Sequence, residues 1–365
     1  MVKYSEKELV LIWLDSFIGL EYKHKQQLFS MINGKASIKK LISSGKDYIV
    51  SQIGESHFDT LLASANDQYL SYLLENYTKK QIRLVTIFSN EYPESLKQTP
   101  HPPLVLYAKG NIELLKQEKF AIVGSRKSLP LSIAIAKDYA NAIIDADLCL
   151  VTGNAEGIDA TVIQTALDRG GKVISVIAGG YDNIYPKTNC MLLDKVSQNG
   201  LVISESLPEV LPRPYMFPVR NRIIAGLSKG VLIVSGATKS GTLYTAEYAE
   251  EYGRTVFAIP YNVGIEAGAG CNELIKRGAI LTDKPEDILQ FYNLDIKNKG
   301  KEQLSNDELL VLKTLKDGQK HIDKICVELN KQTFEVLPIL SVLEIKGYVY
   351  KTGNIFGCSR NDLEE

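Results

Sequence analysis

The chain has 365 residues, 45% of them hydrophobic and 23% charged, with 42 basic against 43 acidic side chains. A compact fold of that size removes roughly 75% of its unfolded surface from water, so two or three domains need no disulfide or metal staple, and the composition excludes disordered, collagen-like and fibrous classes. A net charge of -1 gives no whole-surface attraction to nucleic acid or membrane, and no apolar run reaches the ~18 residues of a membrane span.

From the N-terminus, MVKYSEKELVLIWL carries charges where a signal peptide would be apolar, so a cytoplasmic protein is expected. ELVLIWLDSFIGL, HKQQLFSMI and FDTLLASANDQYLSYLLENY show helical spacing and are separated by Asn33-Gly34, Gly45 and Gly54. This predicts a small all-α unit over residues 1–80. IRLVTIF, EYPESL, a turn at Pro100, Pro102 and Pro103, and LVLYAKG follow as an extended bridge. From Lys119 onward, short apolar strands alternate with helical stretches: FAIVG, a helix to Asp145, LCLVTG, a helix through Leu167, KVISVIAGG, LVISES, VLIVSG, TLYTAEYAEEY and TVFAIP. The alternation predicts an α/β domain over 81–295 with a parallel sheet covered by helices on both faces. LDIKNKGKEQLSND, with Lys297, Lys299 and Lys301, reads as a linker over 296–304. Residues 305–365 bring SNDELLVLKTL, TFEVLPILSVLEIKG and a hairpin turning at Gly353, a winged-helix-like arrangement.

Several strand ends carry chemistry. FAIVG ends in Gly124-Ser125-Arg126 where a helix should begin; backbone N–H groups and a guanidinium can meet one phosphate there, or the glycine serves a tight turn. G-x-G-x-x-G is absent, which disfavours a dinucleotide. In TGNAEGIDA, Gly153 and Gly157 permit close backbone approach, and Asp159 reads as a cap for the next helix. AGGYDNIYPK offers Tyr185 for stacking and Lys187 for a phosphate, or else a packed ring beside a surface cation. FPVRNRIIAGLS places Arg220 and Arg222 beside an apolar run, where guanidiniums need carboxylate or phosphate partners, and at least one is expected to be structural. These two lie in a strip, residues 213–239, with five basic and no acidic side chains. After VLIVSG, Lys239, Ser240 and Gly241 lead into another helix, but Thr242 occupies the lysine position of a P-loop.

Catalytic and metal signals are thin. His24, His57, His101 and His321 all lie outside 116–302, and Ser204-Glu205 has no histidine to complete a triad. Cys149, Cys190, Cys271, Cys326 and Cys358 contain no C-x-x-C pair, so neither zinc nor a disulfide framework is signalled, and no cofactor is expected. Gly124, Ser125, Gly153, Gly157, Ser240 and Gly241 remain as backbone elements of phosphate-accepting loops, in a site built for binding rather than catalysis.

VTIFSNEYPESL and PPLVLYAKG, then AIVGSR, GIDA, IAGGYDNIYP, ISE, FPVRNRIIAGLS, SGTLYTAEYA, VFAIP and GCNELIKRGAILT, occur in that order over about residues 82–290. Together they resemble the DNA-processing protein A family (DprA, also called Smf). The resemblance implies an extended Rossmann-like domain that binds single-stranded DNA, forms a homodimer and loads a RecA-type recombinase during natural transformation. It also implies a sterile-α-motif-like module before that domain and a winged-helix module after it. Carried over by matching positions, Arg126, Lys187, Phe217, Arg220, Arg222 and Lys239 are its DNA contacts. The chain departs from the family pattern at Thr152 and Glu156, the latter in place of a basic residue. It departs again at Leu129, Pro130, Leu131 and Ser132, which replace Ser-x-Tyr-Gly, and at Tyr261, which replaces a glycine.

The competing enzyme reading is a LOG-like nucleotide phosphoribohydrolase, whose P-G-G-x-G-T-x-x-E motif needs a carboxylate where this chain has Thr245. A transcription factor reading through the tail is opposed by Glu335 and Glu344 against Lys346 alone in its second helix.

Overall fold

Nine strands form the sheet at the centre of the computed structural model, in the order β1 (Arg83–Thr86), β2 (Val105–Gly110), β6 (Leu201–Ser204), β5 (Val173–Ile177), β4 (Cys149–Thr152), β3 (Lys119–Val123), β7 (Gly230–Ile233), β8 (Thr255–Ala258), β9 (Ile280–Leu281). From β6 to β9 all neighbours run parallel, while β2 is antiparallel to both β6 and β1. The structure describes residues 3–17, 20, 22–30, 37–295, 304–345 and 348–358. Asn33-Gly34, the expected linker apart from Leu304, and Lys346 lie outside them.

Every residue of β3 through β7 is buried, which is why these strands read as unbroken apolar runs rather than alternating ones. Alternation still sorts them by face. Ala121 and Val123 pack with Ile223, Ala246 and Cys271 of α10 (Met216–Leu227), α11 (Leu243–Glu251) and α12 (Glu266–Lys276). Phe120 and Ile122 pack with Ala136, Val162, Val196 and Ile288 of α7 (Pro130–Asp145), α8 (Ile158–Asp168), α9 (Cys190–Asn199) and α13 (Glu286–Phe291). The strand order reverses between β3 and β7, so a crevice opens there at the carboxyl ends of the strands.

The molecule does not divide at the expected boundary near residue 80. Its two units are Met1–Lys297 and Asn298–Glu365. Helices α1 (Glu6–Asp15), α2 (Tyr22–Ser30), α3 (Ile38–Ile53), α4 (Glu55–Ala63) and α5 (Asp67–Lys79) bury Leu11, Trp13, Leu41 and Tyr77 together with Leu84, Val105 and Tyr107 from β1 and β2. Tyr107 Oη donates to Asp15 Oδ2 at 2.9 Å. Gly45, expected as a break, sits inside α3. A Cβ there would lie 2.7 Å from Leu28 Cδ2, so this glycine sets the close approach of α2 and α3 rather than a turn. The short α6 (Glu94–Lys97) fills the bridge between β1 and β2.

At the amino-terminal end of β3, opposite the crevice, Lys119 is 5% exposed, and its Nζ donates to the carbonyls of Leu115 (2.7 Å) and Gln117 (2.5 Å). Burial lowers its pKa to about 8. Because the folded value lies below the unfolded one of about 10.4, the unfolded chain binds more protons between them and stability rises with pH in that window. Denaturant titrations of wild type and Lys119→Met should therefore diverge by about 2 kcal/mol between pH ~7 and ~9.5 in favour of wild type at the higher pH. A constant difference would refute the assignment. The window must close before the buried tyrosines matter: burial raises Tyr22 and Tyr252 to about 12, so the folded state holds their protons longer and stability falls above about pH 10.

The second unit comprises α14 (Asn306–Thr314), β10 (Lys320–His321), α15 (Ile322–Leu329), α16 (Thr333–Ile345), β11 (Val349–Thr352) and β12 (Ile355–Cys358), with sheet order β10-β12-β11. Ser305 and Glu308 form a capping box at the start of α14. Val311, Leu312, Ile325, Val336, Leu340 and Phe356 make its core. Helix α15 was not separately legible in the sequence. Gly353, at φ +63°, turns the hairpin.

Candidate nucleic-acid interface

Four helices begin around the crevice, and none has a side-chain cap: α7 follows Leu129, α8 follows Gly157, α10 follows Tyr215 and α11 follows Thr242. Loop carbonyls rather than side chains meet their first N–H groups: Ser125 O accepts from Ile158 N, Arg213 O from Met216 N and Ser240 O from Leu243 N. The segments leading into them line an open cleft of about 790 Å³: Gly124, Ser125, Arg126 and Lys127; Ala155 and Asp159; Pro212, Pro214, Phe217, Arg220 and Asn221; and Ser240, Gly241 and Thr242. A recess of about 30 Å³ opens beside it, walled by Arg126, Asn154, Glu156, Tyr185, Phe217 and Arg220 among others.

Hydrogen bonds tie the loops together. Ser125 N donates to Ser235 Oγ across the β3–β7 switch point at 3.2 Å, and Ile158 N donates to Ser125 O at 3.3 Å. Asn221 Nδ2 donates to Gly241 O at 3.1 Å, joining α10 to the loop after β7. Gly157 adopts φ +77°, and a Cβ on it would strike the carbonyl oxygens of Ser125 and Arg126, so only glycine lets the loops after β3 and β4 touch.

The predicted site residues separate on inspection. Arg126 is exposed, and its guanidinium lies 5.2 Å from the centroid of the Phe217 ring. Among the described residues no carboxylate pairs with it. Phe217 also meets Tyr185 edge-on at 5.7 Å, and Tyr185 is 53% exposed, so two aromatic rings share the cleft with the exposed cations Arg126 and Lys127. Lys187 and Lys239 are exposed, but neither lines the cleft.

Arg220 is 7% exposed. Its Nη1 donates to Val176 O, and its Nε donates to Asn221 Oδ1 at 3.2 Å. A Cβ on Gly153 would lie 2.7 and 2.8 Å from the two Nη atoms and also against Asp159 Oδ2, so guanidinium and carboxylate face each other over this glycine. Burial lowers Arg220 to about 10, an effect Asp159 opposes. Burial raises Asp159, opposed by Arg220 and by the Ala155 N–H. Asp159 therefore does not cap α8, as the sequence implied. It receives Ala155 N at 3.1 Å and balances Arg220.

Arg222 is corrected more sharply. Its Nη2 meets Glu205 Oε1 at 2.5 Å, with side-chain exposures of 9% and 29%, and it lines neither cleft nor recess. Two residues along a helix are about 200° apart, so Arg220 and Arg222 cannot both face one ligand. The cationic strip is dispersed in the same way: Lys229 at the start of β7 pairs with Glu118 at 3.1 Å. Lys127 and Asn221 in the cleft and Asn154 in the recess are lining residues the sequence reading missed. Adjacency to Arg126 and Gly153 was the only signal available for Lys127 and Asn154.

Other departures also find their places. Tyr261 Oη contacts Ser132 Oγ at 2.8 Å and donates to Val234 O at 2.9 Å, bridging the first turn of α7 to the end of β7. Thr245, where an acid would be needed for phosphoribohydrolase chemistry, is a buried cleft residue.

A doubly wound sheet whose helix starts lack side-chain caps, with an exposed guanidinium and two aromatic rings around its crevice, defines an α/β protein with a cationic, aromatic-walled cleft. Residues 83–293 match the family model described as DNA recombination-mediator protein A. The chain is 39% identical over 222 residues to the DNA processing protein DprA of Bacillus subtilis, covering 60% of this chain and 75% of that protein. It is 40% identical over 210 residues to DprA of Streptococcus pneumoniae, covering 56% and 72%. The solved structure of the Streptococcus pneumoniae protein superposes with a TM-score of 0.68 at 32% identity, over 79% of this chain and 98% of that one. A structure of DNA processing protein A from Helicobacter pylori, described for its single-stranded DNA binding mode, superposes with a TM-score of 0.53 at 28% identity, over 58% and 98%. The chain belongs to the DNA recombination-mediator protein A family and is a DprA-like DNA-processing protein.

Proposed function

We propose that the cleft binds single-stranded DNA, with phosphates on the loops after β3 and β7 and bases against Phe217 and Tyr185, and that the protein passes the strand to a RecA-type recombinase. The observation that carries this reading is Arg126, an exposed guanidinium without a carboxylate, held over an aromatic ring where helix starts without side-chain caps converge. Phosphate contacts of this kind position a strand without reading its sequence, and exposed rings accept any base. Lys187 and Lys239 extend the phosphate path outside the cleft. Membership of a recombination-mediator family supports a recombinase as recipient; on this reading the protein works in the cytoplasm as a homodimer. The N-terminal helices and the second unit act as sterile-α-motif-like and winged-helix-like modules. No helix among the described residues is long and apolar enough to cross a membrane.

Titration against equal-length single- and double-stranded oligonucleotides tests this. Three or four neutralised phosphates predict a log–log salt slope of about -2 to -3 for single strands, with weaker duplex binding. Equal affinity for duplex, or affinity indifferent to salt, would sink the reading, and AMP hydrolysis in the same preparation would favour the phosphoribohydrolase instead.

A further inference from the structure

The recess beside the cleft contains a charge of the wrong sign for a phosphate site. Glu156 helps wall it together with Arg126 and Arg220, and Thr188 Oγ1 donates to Glu156 Oε1 at 2.9 Å, which holds the carboxylate at the recess. The loop carrying it is fixed as well: Asn189 Nδ2 donates to Asn154 O at 3.1 Å and to Ala155 O at 3.2 Å.

The consequence is a charge balance. Asp159 neutralises Arg220 across Gly153. Arg126 and Lys127 then stand against Glu156, leaving the lining one positive charge in excess. An internal phosphodiester brings one negative charge, whereas a terminal phosphate brings about 1.5 to 2 at neutral pH. The cost of stripping water from an anion grows with the square of its charge, while its attraction to a fixed site grows only linearly. A lining with a single excess positive charge therefore suits the diester. The exposed Lys187 and Lys239 lie outside the lining and attract both ligands.

We propose that Glu156 is a specificity-determining residue that tunes the cleft to the internal phosphodiesters of a strand and against terminal phosphomonoesters and free nucleotides. This rests on the reading of the cleft as a single-strand site.

The test uses the full chain bound to a labelled oligothymidylate at neutral pH and low salt. The competitors are thymidine 5′-monophosphate and its methyl phosphodiester, which differ by one methyl group and about one charge. The diester should compete about fivefold better with wild type, the order of one charge acting on another at hydrated-surface distances. In Glu156→Gln that preference should shrink below about twofold as the monoester gains most, and Glu156→Asp should retain it. No diester preference in wild type, or an unchanged preference in Glu156→Gln, overturns the assignment. Failure of wild type to bind oligothymidylate at all overturns the single-strand reading itself, and this inference with it.

Discussion

Arg126→Ala should weaken single-strand binding by ~1.5–3 kcal/mol, the range for hydrogen bonds to charged groups, and leave the melting temperature where it was. Its guanidinium is exposed, lies over the Phe217 ring and forms no ion pair among the described residues, so folding loses little when it is removed. Arg222→Ala should do the reverse. The buried partner of Glu205 is removed, and unfolding free energy should fall by about 2–4 kcal/mol, somewhat below a fully buried pair because the carboxylate keeps access to water. The affinity of the remaining folded protein should stay within about twofold (~0.4 kcal/mol) of wild type. Melting curves and anisotropy titrations on the two variants decide the matter together. A loss of affinity in folded Arg222→Ala would return that residue to the DNA path.

Gly157→Ala should damage both properties at once. Its φ of +77° is a region that L side chains rarely adopt, and the added Cβ meets the carbonyls of Ser125 and Arg126. Backbone strain alone costs on the order of 1–3 kcal/mol. The cheapest relief moves the Arg126 loop away from α8, so single-strand affinity should fall more than about tenfold, ~1.4 kcal/mol. Gly170, also at positive φ but with open space around it, supplies the control: Gly170→Ala should cost some stability through its backbone conformation alone and leave DNA binding intact. Equal binding losses in the two variants would show that strain, not the loop contact, is responsible.

The contrast between these residues shows how far the sequence reaches. Strands β3 to β8 were legible because a strand buried on both faces must be apolar throughout, and glycine at their ends marked the turns. The family motifs placed Gly124, Arg126 and Phe217 in one site before any coordinates. Gly45 misled because a glycine that breaks a helix and one that admits a neighbouring Leu28 look alike in one dimension. Helix α15 was hidden by its shortness: eight residues make barely two turns, too few to show a helical period.

The sequence by itself determined the α/β core, its βα loops and the cation-rich stretch that serves them, because backbone preference and apolar patterning act between residues near in the chain. Only the tertiary structure decided which cations are available to a ligand. Arg220, Arg222 and Lys229 lie within one basic strip, yet Asp159, Glu205 and Glu118, distant along the chain, claim them in turn, while Arg126 finds a ring and no carboxylate. Electrostatic partners are chosen by distance and burial in three dimensions, and the net charge of a segment carries no record of that choice.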